Sequence, residues 1–273
     1  MGVAVNEFQK KSEKPMDGNK LLMNLGEIPE FPLNSIETFR ETFANSKKLM
    51  TYYSCALLEV ETKFKVLNQQ FSLEQEHNPI ETIKTRVKSI ESIIEKLHRK
   101  NLPLEVESVE KYLTDVAGIR IICPFLNDIY LLADCFLKQD DVTLIEKKDY
   151  IQNPKPNGYR SLHLIIEIPI FLQDEKRLMK VEVQLRTIAM DFWASLEHKI
   201  YYKFEGNAPG YISQELRDCA DIVSMLDARM LRLNEAIIQA KEEQEELELE
   251  QRNEAAAAAV QKILSARKEN TVS

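Results

Sequence analysis

A strict alternation of apolar and polar residues near the middle of the chain most constrains its fold. It runs through RLMKVEVQLRT, residues 177–187, and is typical of a β-strand whose side chains point alternately to two faces. The apolar residues are Val181, Val183 and Leu185, and the polar residues are Lys180, Glu182, Gln184 and Arg186. A wholly polar face is either the solvated side of an antiparallel sheet or the floor of a cleft, and the strand alone leaves both open.

The segments around this strand mix further strands with helices. Strands are predicted for GIRIICPF (118–125), VTLIEKK (142–148) and SLHLIIEIPI (161–170). Helices are predicted for NDIYLLADCFLK and TIAMDFWASLEHKIYYKF, between and after these strands. The sequence therefore predicts an α+β fold of mixed α/β type, with a central sheet flanked by helices.

Three more helices are predicted outside this central region. The first begins near Ser35 and carries an apolar stripe at steps of three and four residues: Met50, Tyr53, Leu57, Val60, Phe64, Leu67 and Phe71. The second is predicted to begin at Asn78 and Pro79 and to run to about Lys100. The third begins near Tyr211 with an apolar repeat of about 3.5 residues, so it could pack on the first helix, pair with another subunit, or do both.

This pattern predicts one domain between two less ordered ends. The predicted divisions are an arm without stable structure (1–34), a helical part (35–105), a sheet core (106–205), a C-terminal oligomerisation helix (211–251) and a frayed helical tail (252–273).

Composition excludes several classes of protein. The net charge of -8 argues against duplex DNA as a partner, so any polyanion must meet a local basic cluster. The four cysteines lie far apart without a CxxC pair, which predicts neither a zinc site nor a disulfide framework and favours the cytoplasm. No stretch approaches the roughly 20 apolar residues that span a bilayer.

A cationic stripe is predicted on the second helix. Lys88, Ser92, Lys96 and Arg99 fall on one helical face, nearly opposite the apolar face. Three cations and a hydroxyl in line suit a polyphosphate, because each can donate to non-bridging oxygens. The alternative is an ordinary solvated helix face.

Two carboxylates could form a metal site. Asp115 stands just before a buried strand, and Glu182 lies on the polar face of the alternating strand. An acidic residue at a strand entrance is commonly a cap or a turn residue. If the two strands are neighbours, however, the carboxylates converge as they do in Mg²⁺ sites that also use substrate phosphates.

The loop NPKPNGYRSLHL, residues 153–164, gathers polar residues at the mouth of a strand. It is either a polar surface turn or one wall of a nucleotide site. Its candidate binding residues are Lys155, Tyr159, Ser161 and His163, whereas Arg160 has no predicted role.

Four blocks in order resemble the synthetase domain of the RelA/SpoT family, and most of all its stand-alone small alarmone synthetases. The blocks are TRVKSIESIIEKLHRK, DVAGIRIICPF, GYRSLHL and VEVQLRTIAMDFWASLEHKIYYK. The resemblance covers about residues 45–240. It implies a nucleotidyltransferase-like mixed sheet and transfer of pyrophosphate from ATP to the ribose 3′-hydroxyl of GTP or GDP, giving pppGpp or ppGpp and AMP.

The resemblance also implies roles for individual residues. Asp115 and Glu182 would hold Mg²⁺, and Glu182 would accept the 3′-hydroxyl proton. The ATP residues would be Arg86 and Arg120 on the two faces of adenine, and Lys88, Ser92, Lys96 and Arg99 at the phosphates. The GTP or GDP residues would be Tyr159 at guanine, Lys155 and His163 at phosphates, and Gln184, Glu197 and Asp191 nearby, Asp191 standing where many relatives carry Asn.

The implied partners are the substrates, further copies of the chain in a homotetramer, and single-stranded RNA as a candidate regulator. Hydrolysis of the product is not expected, because the N-terminal region lacks a His-Asp pair. Two other functions stay open. One is pyrophosphate transfer to the 3′ end of tRNA, which would need a basic surface beside the cleft. The other is a non-catalytic protein that binds nucleotide or RNA.

Overall fold

The computed structural model describes residues 33–45, 47–74, 78–203 and 210–269. The helices are α1 (Leu33–Asn45), α2 (Lys47–Glu74), α3 (Ile90–Arg99), α4 (Val106–Tyr112), α5 (Leu126–Leu137), α6 (Ile188–Lys203) and α7 (Gly210–Glu269). The strands are β1 (Thr82–Val87), β2 (Ala117–Cys123), β3 (Thr143–Asp149), β4 (Leu162–Phe171) and β5 (Lys176–Thr187). The predicted strands are all present as β2 to β5, and the α+β fold is confirmed.

The strands form one mixed sheet in the order β1-β2-β5-β4-β3. Strand β2 runs parallel to β5, and the other neighbouring pairs are antiparallel. The central strand β5 is the alternating segment, and Val181, Val183 and Leu185 on its apolar face are fully buried. The strand that most constrains the fold therefore lies at the middle of the sheet.

Helix α2 covers the apolar face of the sheet. It packs against β1, β2, β4 and β5 through the stripe predicted from the sequence. Val60 and Phe64 of that stripe are fully buried, and the Phe64 ring stacks on Phe136 of α5 with their centroids 4.5 Å apart. This layer of helix against sheet leaves the opposite, polar face of β5 for other contacts.

The predicted helix from Asn78 to Lys100 is wrong in its first half. Residues Thr82–Val87 form strand β1, which pairs antiparallel with β2, and only Ile90–Arg99 is helical. The helical stripe misleads here because Ile83 and Val87 are four residues apart, an even spacing that also puts them on one face of a strand. The β-branched residues in TIKTRV favour the extended form. Ser89 then caps α3 by accepting a hydrogen bond from the Ser92 amide.

The long helix α7 begins against α6, where the two share a second small apolar cluster. Its buried members are Trp193 and Ala194 from α6 with Leu216 and Ala220 from α7. The Trp193 indole N–H donates to the Leu216 carbonyl at 2.9 Å. Further along α7, the same predicted stripe is exposed at Leu226, Met230, Leu233 and Ile237, which are about half accessible.

The predicted arm falls almost wholly outside the described residues, as do residues 270–273 of the predicted tail. Within the described ranges, no helix is both long and apolar enough to cross a membrane. The predicted division into one domain and two ends stays a prediction.

Candidate active site

Strand register aligns polar side chains across the sheet. Arg120 of β2 pairs with Lys84 of β1 and with Gln184 of β5. Gln184 in turn pairs with His163 of β4. Neighbouring residues in register share a face, so these four side chains form one row on the face opposite the α2 layer.

A cavity of about 250 Å³ opens over this row at β1, β2 and β5. Its lining is Lys84, Thr85, Arg86, Gly118, Ile119, Arg120, Glu182 and Gln184. Both arginines predicted to enclose adenine therefore line one cavity. Gly118 lies in the lining beside Arg86, and an added Cβ there would make ordinary contact with Arg86 at 3.9 Å. The polar face of β5 is the floor of a cleft.

Two lysines converge on Asp115 at the entrance of β2. Its Oδ2 lies 2.8 Å from Nζ of Lys88 and 2.5 Å from Nζ of Lys96. Lys88 follows β1 and Lys96 lies on α3, so the sharp turn between these elements brings the two cations together. Burial acts to raise the pKa of Asp115, but the hydrogen bonds and charges of the lysines outweigh it and hold that pKa below its ordinary value.

The other two members of the predicted cationic stripe remain on α3. Ser92 and Arg99 are exposed and share a helical face with Lys96, at one turn before and one turn after it. The stripe thus exists, with the correction that Lys88 reaches it from the end of β1 and not from the helix.

Glu182 is held by two neighbours on the cleft floor. Its Oε1 lies 3.3 Å from Nδ1 of His163, and its Oε2 accepts from the Gln184 amide at 3.0 Å. Burial acts to raise the pKa of Glu182, and the charge of Asp115 adds to that. The hydrogen bond and charge of His163 outweigh both, so the pKa lies below its ordinary value.

The donor set at this position suits a magnesium ion. Among the described residues, no group of three or more His, Cys, Asp or Glu side chains could hold a metal by itself. Mg²⁺ commonly uses only one or two carboxylates with substrate phosphates and water. Asp115 Oδ1 fits that use, because it is buried without a hydrogen-bond partner in the described part of the chain. The nearby Glu182 would supply the second carboxylate.

Asp191, in the first turn of α6, joins three cations. Its Oδ1 accepts from Arg120 at 3.0 Å and from Arg186 at 3.2 Å, and its Oδ2 lies 3.2 Å from Lys84 Nζ. Asp191 and Arg186 are both buried. Burial lowers the pKa of Arg120, the charge of Arg186 lowers it further, and Asp191 opposes both. This network fixes Arg120 at the edge of the cavity.

Tyr159 stands at the His163 end of the row with cations around its ring. Its hydroxyl lies 2.8 Å from His163 Nε2 and accepts from Arg186 Nη2 at 2.5 Å. Lys155 Nζ lies 4.9 Å from the ring centroid, and the Arg186 guanidinium lies 5.0 Å from it. Tyr150 makes an edge contact with the same ring at 6.1 Å. The loop therefore lies beside the polar row, at its His163 end.

Glu197 lies on the same side of the cleft, on α6. Its Oε1 accepts from the Asn157 side chain at 3.0 Å, which links α6 to the loop. The remaining candidate of that loop, Ser161, is fully buried and donates its hydroxyl proton to the Leu185 carbonyl at 3.1 Å. Ser161 therefore secures the loop to β5 and does not face the cleft.

Three residues of the cleft have no role in the sequence analysis. Arg186 was on the predicted polar face of β5, so the alternation contains the signal for it. The predicted helix over residues 78–100 gives no indication of Lys84, because the place of Lys84 in the row depends on the pairing of β1 with β2. No sequence signal points to Tyr150, whose ring lies beneath Lys155 at 4.7 Å.

Comparison with known proteins identifies relatives that share this fold and these blocks. The model of the family described as "Region found in RelA / SpoT proteins" matches residues 85–207. A Bacillus subtilis (strain 168) protein named GTP pyrophosphokinase YwaC is 44% identical over 205 residues, which cover 75% of this chain and 96% of that protein.

Solved structures agree with the sequence comparison. Small alarmone synthetase 2 from Bacillus subtilis has a TM-score of 0.64 and 46% identity, covering 70% of this chain and 98% of its own. Small alarmone synthetase 1 from the same organism, bound to its product pppGpp, has a TM-score of 0.66 and 34% identity, with 71% and 98% covered. The chain belongs to the RelA/SpoT family and is similar to its small alarmone synthetases over most of its length.

Proposed function

We propose that the chain transfers pyrophosphate from ATP to the 3′-hydroxyl of GTP or GDP, giving pppGpp or ppGpp together with AMP. The observation that carries this function is the single polar row across the sheet. It joins an arginine-lined cavity, whose lining includes the Glu182 carboxylate, to a tyrosine-bearing loop. Pyrophosphate transfer suits this arrangement, because most of its catalysis is positioning and charge neutralisation.

The donor nucleotide fits the cavity side. Arg86 and Arg120 would stack on adenine, as planar guanidinium groups do on aromatic rings. Lys88, Lys96, Ser92 and Arg99 would hold the triphosphate. Both lysines are paired with Asp115, so ATP binding would exchange two lysine–carboxylate contacts for lysine–phosphate contacts.

Asp115 and Glu182 would hold Mg²⁺, which neutralises phosphate charge and makes the ribose hydroxyl more acidic when bound. The low pKa of both carboxyl groups keeps them ionised at neutral pH, as metal ligands must be. Glu182 would also accept the 3′-hydroxyl proton. Its neighbours His163 and Gln184 fix the carboxylate on the floor of the cleft for that role.

The acceptor nucleotide fits the loop side. Tyr159 would stack on guanine, and Lys155, which already lies over that ring, would turn to a phosphate when the base arrives. His163 would reach a second phosphate group. Asp191 would accept from the guanine edge, beside Gln184 and Glu197. These six assignments come from the resemblance, and the contacts among the side chains of the loop, β4, β5 and α6 support them.

A panel of acceptors tests this function. Purified protein is given ATP, Mg²⁺ and either GTP, GDP or deacylated tRNA, and the products are separated by anion exchange. We expect product with GTP, GDP or both, and none with tRNA. Product with tRNA alone would replace the proposal by the tRNA-modifying alternative, and binding without any product would favour the non-catalytic one.

The exposed part of α7 supports assembly of the chain into a homo-oligomer. Its half-accessible apolar stripe would be covered in a homo-oligomer, and the resemblance implies a tetramer. A monomer by light scattering at micromolar concentration would contradict this. We also place the protein in the cytoplasm, where its substrates are. The single-stranded RNA regulator stays a prediction of the resemblance.

A further inference from the structure

The loop of residues 153–164, called the acceptor loop below, contacts α7 at a position where neither side has space for a larger side chain. Gly158 is buried with a φ of +89°, a conformation that favours glycine. A Cβ added at Gly158 would lie 2.5 Å from the Ala220 Cβ and 3.6 Å from the Arg217 Cα. The loop backbone therefore lies directly on the helix, and both residues must be small.

Arg160 ties the same loop to the same helix. Its Nη2 donates to Asp221 Oδ1 at 3.3 Å, and its Nη1 donates to the Ile151 carbonyl at 3.2 Å. Only a fifth of its side chain is exposed. Arg160 thus links the acceptor loop both to Ile151, just before the loop, and to Asp221, the residue after Ala220 on α7.

Between these two contacts lies Tyr159, the proposed guanine platform. Its ring packs partly into the cluster of Trp193, Leu216 and Ala220. Its hydroxyl is held from the sheet side by His163 and Arg186. The sheet therefore fixes one end of the Tyr159 side chain, and α7 supports the backbone on both sides of it.

We propose that α7 positions the acceptor, with Ala220 and the Arg160–Asp221 pair as its positioning contacts. This inference rests on the proposed function and gives the C-terminal helix a role inside the site. Crowding or loosening these contacts displaces Tyr159 and weakens GTP or GDP binding. The ATP side stays unaffected, because its proposed ligands come from β1 and the turn after it, from α3, and from β2 with the segment that leads into it.

Ala220→Leu tests the close contact, with two matched variants. The larger side chain pushes the loop away, and a misplacement of about 1 Å can cost roughly 100-fold in kcat/KM. We expect kcat/KM for GTP to fall at least about tenfold, with KM for ATP within about twofold of wild type. Ala220→Gly removes the contact without crowding Gly158, so it should raise KM for GTP less than Ala220→Leu does. Ala236→Leu, the same change at an exposed site of α7, leaves both constants unchanged.

Asp221→Asn tests the ion pair without crowding. It is expected to raise KM for GTP roughly two- to fivefold, the range for a partly exposed pair. Asp218→Asn is the control, one turn earlier on α7, where the carboxylate accepts a local hydrogen bond from Gln214 at 2.8 Å. This pair of variants decides the matter if Ala220→Leu does not fold.

Calorimetric titration with GTP in the presence of a non-hydrolysable ATP analogue keeps the two proposals apart. Absence of product from wild type sinks the proposed function, while GTP affinity still reports on α7. The inference is overturned if Ala220→Leu and Asp221→Asn bind GTP as wild type does. It is also overturned if both nucleotides lose affinity to the same degree, because that pattern indicates general loss of structure.

Discussion

The donor and acceptor sides of the cleft are built in different ways. On the donor side, charged groups neutralise one another within the protein, as where Lys88 and Lys96 share Asp115. On the acceptor side, Tyr159 stands on a loop between the sheet and α7, held by apolar packing and by hydrogen bonds to its hydroxyl. The donor side is therefore poised to exchange charges, whereas the acceptor side must keep a ring in place.

This difference suits the two substrates. ATP brings a triphosphate, whose charge would replace that of Asp115 around the lysines. In the proposed function, the base of GTP or GDP would stack on Tyr159, and stacking depends on the position and angle of one ring. We therefore expect donor-side changes to act through charge, and acceptor-side changes to act through shape.

The largest effect is expected where the two sides meet. Glu182→Gln and Asp115→Asn remove the charge of the proposed metal ligands while keeping their shape. Turnover should fall by about 10²–10⁴-fold or more, the range for loss of a catalytic acid–base group. Initial rates of AMP formation measure this. Glu167→Gln, a matched change on β4 beyond the cleft lining, should keep wild-type turnover. Retained turnover in either cleft variant would remove that carboxylate from the chemistry.

A shape effect is expected at Tyr159. Tyr159→Ala loses the stacking platform, which is worth about 1–3 kcal/mol per base, so KM for GTP should rise roughly 5- to 150-fold. Tyr159→Phe keeps the ring and loses only the contacts of the hydroxyl with His163 and Arg186, so its effect should be smaller. Steady-state kinetics at saturating ATP distinguish the two. Equal effects of Ala and Phe would mean that the hydroxyl matters and the ring face does not.

Replacing one lysine on each side of the cleft by methionine compares the donor side with the acceptor side. Lys96→Met should raise KM for ATP roughly tenfold or more, because hydrogen bonds to charged groups contribute about 1.5–3 kcal/mol. Lys155→Met should instead raise KM for GTP or GDP. Each variant is measured with both nucleotides varied in turn. If either variant weakens both substrates alike, the separation of donor and acceptor sides is wrong.

The smallest effect concerns stability, and its sign differs between two aspartates. Burial acts to raise the pKa of Asp115, but the hydrogen bonds and charges of Lys88 and Lys96 outweigh it. The pKa of Asp115 therefore lies below its ordinary value of 3.8. The contribution of Asp115 to the free energy of unfolding is therefore present above pH 3.8, and it is lost as pH falls through the pKa of the folded protein. Burial raises the pKa of Asp227 on α7 above 3.8, although the hydrogen bond from the Thr187 hydroxyl opposes this. The contribution of Asp227 to the free energy of unfolding is therefore present below pH 3.8, and it is lost as pH rises through the pKa of the folded protein.

Denaturant unfolding from about pH 3 to pH 7 checks these signs. Relative to Asp115→Asn, the wild type should gain unfolding free energy as pH rises. Relative to Asp227→Asn, it should lose unfolding free energy over the same range. The same slope for both variants would contradict the opposite environments described for the two carboxyl groups.

The fold could be predicted largely from periodicity, and the site only in part. Alternation in β5 identifies both faces of the central strand, because a period of two has no helical counterpart over that length. Ile83 and Val87 mislead because a spacing of four fits both a strand and a helix. The contacts of Asp191 with Arg120 and Lys84 could not be predicted, since they depend on the register of β1 with β2 and on the packing of α6.

The contact of Gly158 with Ala220 is the clearest example of what sequence could not supply. The two residues are far apart in the chain, and neither carries a side chain that signals binding. Their proximity results from the way α7 packs on α6 beneath the acceptor loop. Arg160 has no role in the sequence analysis for the same reason, because its partner Asp221 lies on that distant helix.

The central claim is that ATP and a guanosine nucleotide meet over the polar face of β5 and exchange a pyrophosphate group. The most direct measurement quantifies all nucleotides after wild-type protein has acted on γ-labelled ATP and GTP with Mg²⁺. The account predicts equal amounts of AMP and of a guanosine product that carries the label on its 3′ side. Formation of ADP, or of AMP without labelled guanosine product, would contradict it.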